Sequence, residues 1–192
     1  MATPPNMETV AGIIHPLDMF YAEDALPLPP YNQIDAQAVP DPYAALLAHR
    51  NDMTPTLEKF HRHDIHLRVL RRWRKGADYF REVVLELDDS DLPVEFGAIK
   101  INLDLFPQDV RDHILSEQRP LGHILEEHNV PHRSEPVGFL RLASDPLINR
   151  ALKLSGAQVL YGRRNNLLDV QGRPLAEIVE ILPPVRGKEE RK

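Results

Sequence analysis

The chain has 192 residues, 42% hydrophobic and 27% charged, with a formal net charge of -6 and no cysteine. That length can bury one core without staples, and the missing thiols exclude disulfides, thiolate metal sites and a cysteine nucleophile. The acidic balance argues against a general nucleic-acid binder. Residues 1–20 carry no basic n-region and no long apolar run, so the expectation is a cytoplasmic protein with no membrane partner.

Proline is concentrated early, at Pro4, Pro5, Pro16, Pro27, Pro29, Pro30, Pro40 and Pro42. Such a stretch is neither regular helix nor interior strand. Residues 1–40 therefore read as an extended Pro-rich arm, 41–184 as the folded domain, and 185–192 as a charged tail. Within the domain, 43–50 has helical apolar spacing broken by Asn51-Asp52, and Thr54-Pro55 reads as an N-cap followed by proline at the first helical position. Ile65, Leu67 and Val69 alternate with polar residues, as a strand does. Strands are predicted at 79–87 and 93–102 around an Asp88-Asp89-Ser90-Asp91 turn. Helical spacing follows over 103–117. Pro120-Leu121-Gly122 interrupts it, and a short helix continues through Ile124-Leu125. A strand over 133–142 and a helix capped by Asp145-Pro146 lead to a closing hairpin, in which apolar runs flank Gln171-Gly172. The pattern predicts an α+β domain, an antiparallel sheet with helices on one side.

The hairpin carries unusual charge. Arg163 and Arg164 lie in one strand, Glu177 and Glu180 in the other, among residues suited to a core. Buried ions are costly unless they are paired or bind something. The hairpin is thus a candidate small-molecule site.

Four motifs in order carry a resemblance. Asn51-Asp52-Met53-Thr54 follows the Leu46-Leu47 helix, and Arg81-Glu82 opens an apolar strand. Pro120-Leu121-Gly122 follows a helix, and Tyr161-Gly162-Arg163-Arg164 precedes Gly172-Arg173-Pro174-Leu175. Over roughly residues 43–183 the chain resembles the chorismate lyase-like family, which includes chorismate pyruvate-lyases and 4-hydroxybenzoate synthases. The resemblance implies a six-stranded antiparallel sheet with ligand buried beneath helical flaps. It also implies elimination of pyruvate from chorismate to give 4-hydroxybenzoate, without metal or organic cofactor. Arg81 matches the arginine that grips the ring carboxylate, and Met53 and Leu121 match residues whose backbone amides help hold it. A glutamate near the end of the last strand is the acid-base group.

Two departures from the family pattern stand out. In the bacterial enzymes that glutamate lies four residues before the closing proline, where this chain has Val179. Glu180 lies three before Pro183, which fits the mycobacterial-type pattern, and Glu177 lies six before it. A one-residue slip turns a side chain to the other face of a sheet. Second, Phe96-Gly97-Ala98 stands where the bacterial lyase has an arginine after the glycine, so a cation is missing from that neighbourhood.

The candidate site is therefore Glu180 and Arg81 as catalytic residues, with Met53, Leu121, Gly122, Glu177 and Arg163 beside Arg81 in substrate binding. Gly122 would let the backbone approach a ligand closely, and at most one of Arg163 and Arg164 faces the pocket. For Arg81 the alternative is a salt bridge to Glu180 or Glu95. His61, His63 and His66 lack a completing carboxylate motif and read as surface residues; no metal site is expected. The basic run around Trp73 reads as an exposed hairpin end. The functional expectation is a carbon–oxygen lyase acting on chorismate or a similar carboxylate. The rivals are an enzyme for another carboxylated natural-product intermediate and a non-catalytic aromatic-carboxylate-binding module, since the same fold serves as effector domain in bacterial regulators.

Overall fold

A computed structural model describes residues 12–185. In chain order the elements are α1 (Leu17–Glu23), β1 (Tyr31–Ile34), α2 (Tyr43–Leu47), α3 (Met53–His61), β2 (Ile65–Lys75), β3 (Asp78–Leu87) and β4 (Pro93–Asn102). Then come α4 (Gln108–Ser116), α5 (Leu121–Glu127), β5 (Arg133–Ala143), α6 (Pro146–Ala151), β6 (Val159–Leu168) and β7 (Pro174–Leu182). All seven strands form one sheet in the order β1-β5-β6-β7-β4-β3-β2. Every neighbouring pair is antiparallel.

Strand β3 explains why the apolar runs are so continuous. Nine of its ten residues are buried, because both faces of the sheet are covered. Phe80 and Val84 join one core with Phe96, Val179 and Ile181, closed by Leu17 and Phe20 of α1 and Ile148 of α6. On the opposite face, Tyr79 and Ile99 pack with α4 and α5, and Leu85 packs with α2 and α3. The larger helical layer, α2 to α5, thus occupies one face, while α1 and α6 back the other.

The Pro-rich segment does more than lie across the surface. Leu17 and Phe20 are fully buried in α1, and β1 pairs with β5 as the seventh strand. Proline cannot mark either element in advance, since it only forbids helix interiors and central strands; β1 is an edge strand and α1 begins after Pro16. The expected frayed tail from 186 onward lies outside the described residues. No helix among the described residues is long and apolar enough to cross a membrane.

Two glycines fix the position of β7. A Cβ on Gly97 would sit 2.6 Å from the Val179 carbonyl oxygen, and one on Gly162 would collide with that of Glu180. Strands β4 and β6 therefore approach β7 more closely than side chains allow. The register is regular from Phe96↔Ile181 to Ile101↔Ala176, and Arg163 stands opposite Glu180.

Candidate functional site

Between the helical layer and the sheet lies a chamber with about 560 Å³ of empty space, including its mouth. Its floor is Arg81, Val83 and Leu85 of β3, Glu95, Gly97 and Ile99 of β4, Asn165 and Leu167 of β6, and Ile178 and Glu180 of β7. The strand period of two puts these residues on one face. Its roof is the start of α3, Asp52 to Thr54, and the start of α5, Pro120 to Gly122.

Arg81 is the cation of this chamber, only 2% exposed. Its Nε and Nη1 are buried without a hydrogen-bond partner. Burial pulls its pKa down to about 10, partly offset by the field of Tyr79 and Glu117. Glu117 is already engaged, pairing with Arg72 at 3.0 Å and accepting the Tyr79 hydroxyl. No ion pair joins Arg81 to Glu95 or Glu180 among the described residues. An unpaired buried guanidinium is expensive, and a carboxylate is its natural complement, since the fork of donors can grip two oxygens at once.

Three more ionisable groups sit on the same face. Glu180, 3% exposed, pairs with fully buried Arg163. Arg163 also donates to the backbone oxygens of Leu47, His49 (3.0 Å) and Asn51 (3.2 Å). It thereby ties the link between α2 and α3 to the sheet. Glu95 is 4% exposed and its Oε2 has no partner. Burial, reinforced by the Glu180 carboxylate and opposed by Arg163, pushes its pKa well above the ordinary carboxylate range. Burial thus favours its protonated, neutral form.

The fold brings together Arg81, Met53, Leu121, Gly122 and Glu180 around one cavity. No bulge is needed for Glu180, because the β4–β7 register is unbroken and Val179 faces the opposite core. Glu177 turns away from the chamber to Arg164 (3.1 Å) and Lys100 (3.2 Å). The charged hairpin is thus internally paired on both faces: Arg163 with Glu180, Arg164 with Glu177. Arg163 is engaged with Glu180 and backbone carbonyls, outside the chamber's lining. At Gly122 a Cβ would meet Thr54 Oγ1 at 3.5 Å, an ordinary contact, so packing does not demand a glycine there.

Other features had weaker signals in the sequence. Helix α3 starts two residues earlier than Thr54-Pro55 implies, at Met53, and the side chain of its N-cap Asp52 caps nothing. Instead His132 Nε2 approaches Asp52 Oδ2 at 2.8 Å and its Nδ1 approaches the Val130 oxygen at 2.8 Å. The hydrogen bond that His132 makes to the Asp52 carboxylate raises the His132 pKa. Asn165, almost wholly buried, exchanges hydrogen bonds with Ser134. Glu95 was legible only as a partner for Arg81. Away from the chamber, His113, Glu127 and His128 bring ligating atoms within 4.8 Å of one another on the outside of α4 and α5. His113 Nδ1 and His128 Nε2 already bond each other at 2.6 Å, and Glu127 pairs with Arg119.

The open seven-stranded antiparallel sheet with these helices is the chorismate lyase-like α+β fold. No protein-family profile matches the chain and no curated protein matches it. Among solved structures it is similar to the ligand-binding domain assigned to a GntR-family transcriptional regulator from Bordetella bronchiseptica. That match has 14% identity and a TM-score of 0.50, and covers 62% of this chain and 86% of that one. It is also similar to PhnF from Mycobacterium smegmatis, with 11% identity and a TM-score of 0.55, over 70% of this chain and 64% of that one. The carbon–oxygen lyase expectation is overturned by this finding: the fold is matched by the ligand-binding domain of a transcriptional regulator. The motifs behind the resemblance carry the fold and not turnover.

Proposed function

We propose that the chain is a non-catalytic binding module for a small aromatic or similar ring-sized carboxylate. The observation that carries this reading is Arg81: a buried guanidinium with two nitrogens unpartnered, in the lining of a partly open and otherwise largely apolar chamber. The carboxylate would take the guanidinium fork, with the backbone at Met53 and Leu121 in the roof beside it. Glu180 is held by Arg163, so it serves the chamber as a fixed acceptor and not as a free acid. Likeness in fold to a regulator's ligand-binding domain supports the same reading.

The test is calorimetric titration of the purified chain with benzoate, 4-hydroxybenzoate and chorismate, with pyruvate followed in parallel. Saturable binding of at least one carboxylate, lost in Arg81→Met, with no pyruvate released, is the expected result. Equal binding by wild type and Arg81→Met would remove the arginine from the site. Pyruvate release from chorismate that Arg81→Met abolishes would refute the non-catalytic reading.

A further inference from the structure

Arg81 accounts for one end of the chamber, and the other end is differently furnished. Ile99 stands opposite Arg81, and Glu95 lies four residues along the same strand on the same face. At the rise of a strand that places the two positions ~13 Å apart along the floor, a span that suits a ligand the size of one substituted ring. The far end holds two carboxyl groups, Glu95 and Glu180, against the single cation Arg163. Arg163 is spoken for by Glu180 and by three backbone oxygens. Glu95 lines the cavity wall, and its Oε2 is buried with no partner. Polar atoms so placed are normally satisfied, and an exception calls for an explanation.

We propose that Glu95 is a specificity-determining group, offering a hydrogen bond to a neutral oxygen-bearing group on the far side of a ring monocarboxylate and turning away a second carboxylate. The inference rests on the carboxylate-binding reading of Arg81 and extends it to the opposite end of the ligand. Its charge logic is simple. In its protonated form Glu95 can donate to a hydroxyl or carbonyl oxygen, and a hydroxyl can also donate to Glu180. A second carboxylate would meet two carboxyl groups and no uncommitted cation, at a cost that a low-dielectric chamber magnifies.

The experiment compares benzoate, 4-hydroxybenzoate and terephthalate on wild type, Glu95→Gln, Glu95→Leu and Arg81→Met, by calorimetry, with thermal melts to verify folding. In wild type the hydroxyl should improve affinity over benzoate by about tenfold, the worth of one net hydrogen bond, and terephthalate should bind more weakly than benzoate. Glu95→Gln keeps a donor of the same shape and should retain most of the hydroxyl preference. Glu95→Leu should erase it while leaving benzoate within about threefold. Terephthalate binding wild type as well as 4-hydroxybenzoate, or an unchanged hydroxyl preference in Glu95→Leu, would overturn the role of Glu95 alone, provided Arg81→Met still abolishes binding. If none of the three acids binds, or Arg81→Met binds them all normally, the carboxylate reading falls and this inference with it.

Discussion

Both faces of the sheet bury charges, and they match them to different degrees. On the face backed by α1 and α6, Glu82 is 2% exposed but takes a bidentate grip from Arg71, at 2.8 and 2.9 Å. Arg164 and Glu177 pair there as well, with Lys100 beside them. On the chamber face, Arg163 and Glu180 are matched in the same manner, yet Arg81 and Glu95 are left with buried polar atoms unpartnered. Matched charges on one face show that the fold can satisfy buried ions when it needs only a core. The unmatched pair is what the proposed carboxylate ligand would satisfy.

That contrast can be tested from both sides. Arg163→Ala should be the most damaging change, since it strands Glu180 as a buried unpaired charge and releases three backbone oxygens. A loss of about 3–5 kcal/mol is expected in urea unfolding, or outright failure to fold. Arg81→Met should do the reverse. Affinity for the carboxylate should fall by a hundredfold or more, from two charge-assisted bonds at ~1.5–3 kcal/mol each, while the melting temperature holds or rises because an unpaired buried charge is gone. A melting temperature well below wild type would mean that Arg81 is a matched structural charge after all.

A smaller effect concerns the latch that Asp52 and His132 form. Asp52 raises the His132 pKa above its unfolded value, so the stability His132 contributes is full below about pH 6.5 and is lost as pH rises through the folded value. Glu95 acts with the same sign for a different reason. Its folded pKa is raised, so the native state holds the proton longer and stability falls as pH climbs past the ordinary carboxylate range. The unfolding free energy of wild type relative to His132→Gln should therefore be larger near about pH 6 than near about pH 8.5. A constant difference would show that the latch does not depend on charge. Smallest of all, Glu177→Gln should leave ligand affinity within about twofold, since its pairing lies on the other face. A large loss of binding there would undo the assignment of faces.

Much of this architecture was legible in the sequence, and the failures have physical reasons. Alternation located β2, the Asp88-Asp89-Ser90-Asp91 turn located the β3–β4 hairpin, and the Gln171-Gly172 turn located the β6–β7 hairpin, where Gly172 has φ +80 and Asp169 accepts from the amides of Gln171 and Arg173. Asp145 caps α6 through the Ile148 amide as its spacing predicts. What could not be read was partnership. Charge in an apolar strand says that a compensation exists without saying whether it is protein or ligand, so the pairing of Arg163 and Glu180 and the solitude of Arg81 looked alike. Strand parity already separated Glu177 from Glu180, but which parity faced the chamber waited on the register with β4. The edge strand β1 escaped because four residues between prolines carry no alternation to detect.

Arg163 grips the floor through Glu180 and the roof through the oxygens of Leu47, His49 and Asn51. A wall and a ceiling bolted to the same bracket cannot shift independently. Whatever occupies the chamber and nudges β7 must be felt where α3 begins, close to the protein surface, which gives the site a mechanical route to the outside.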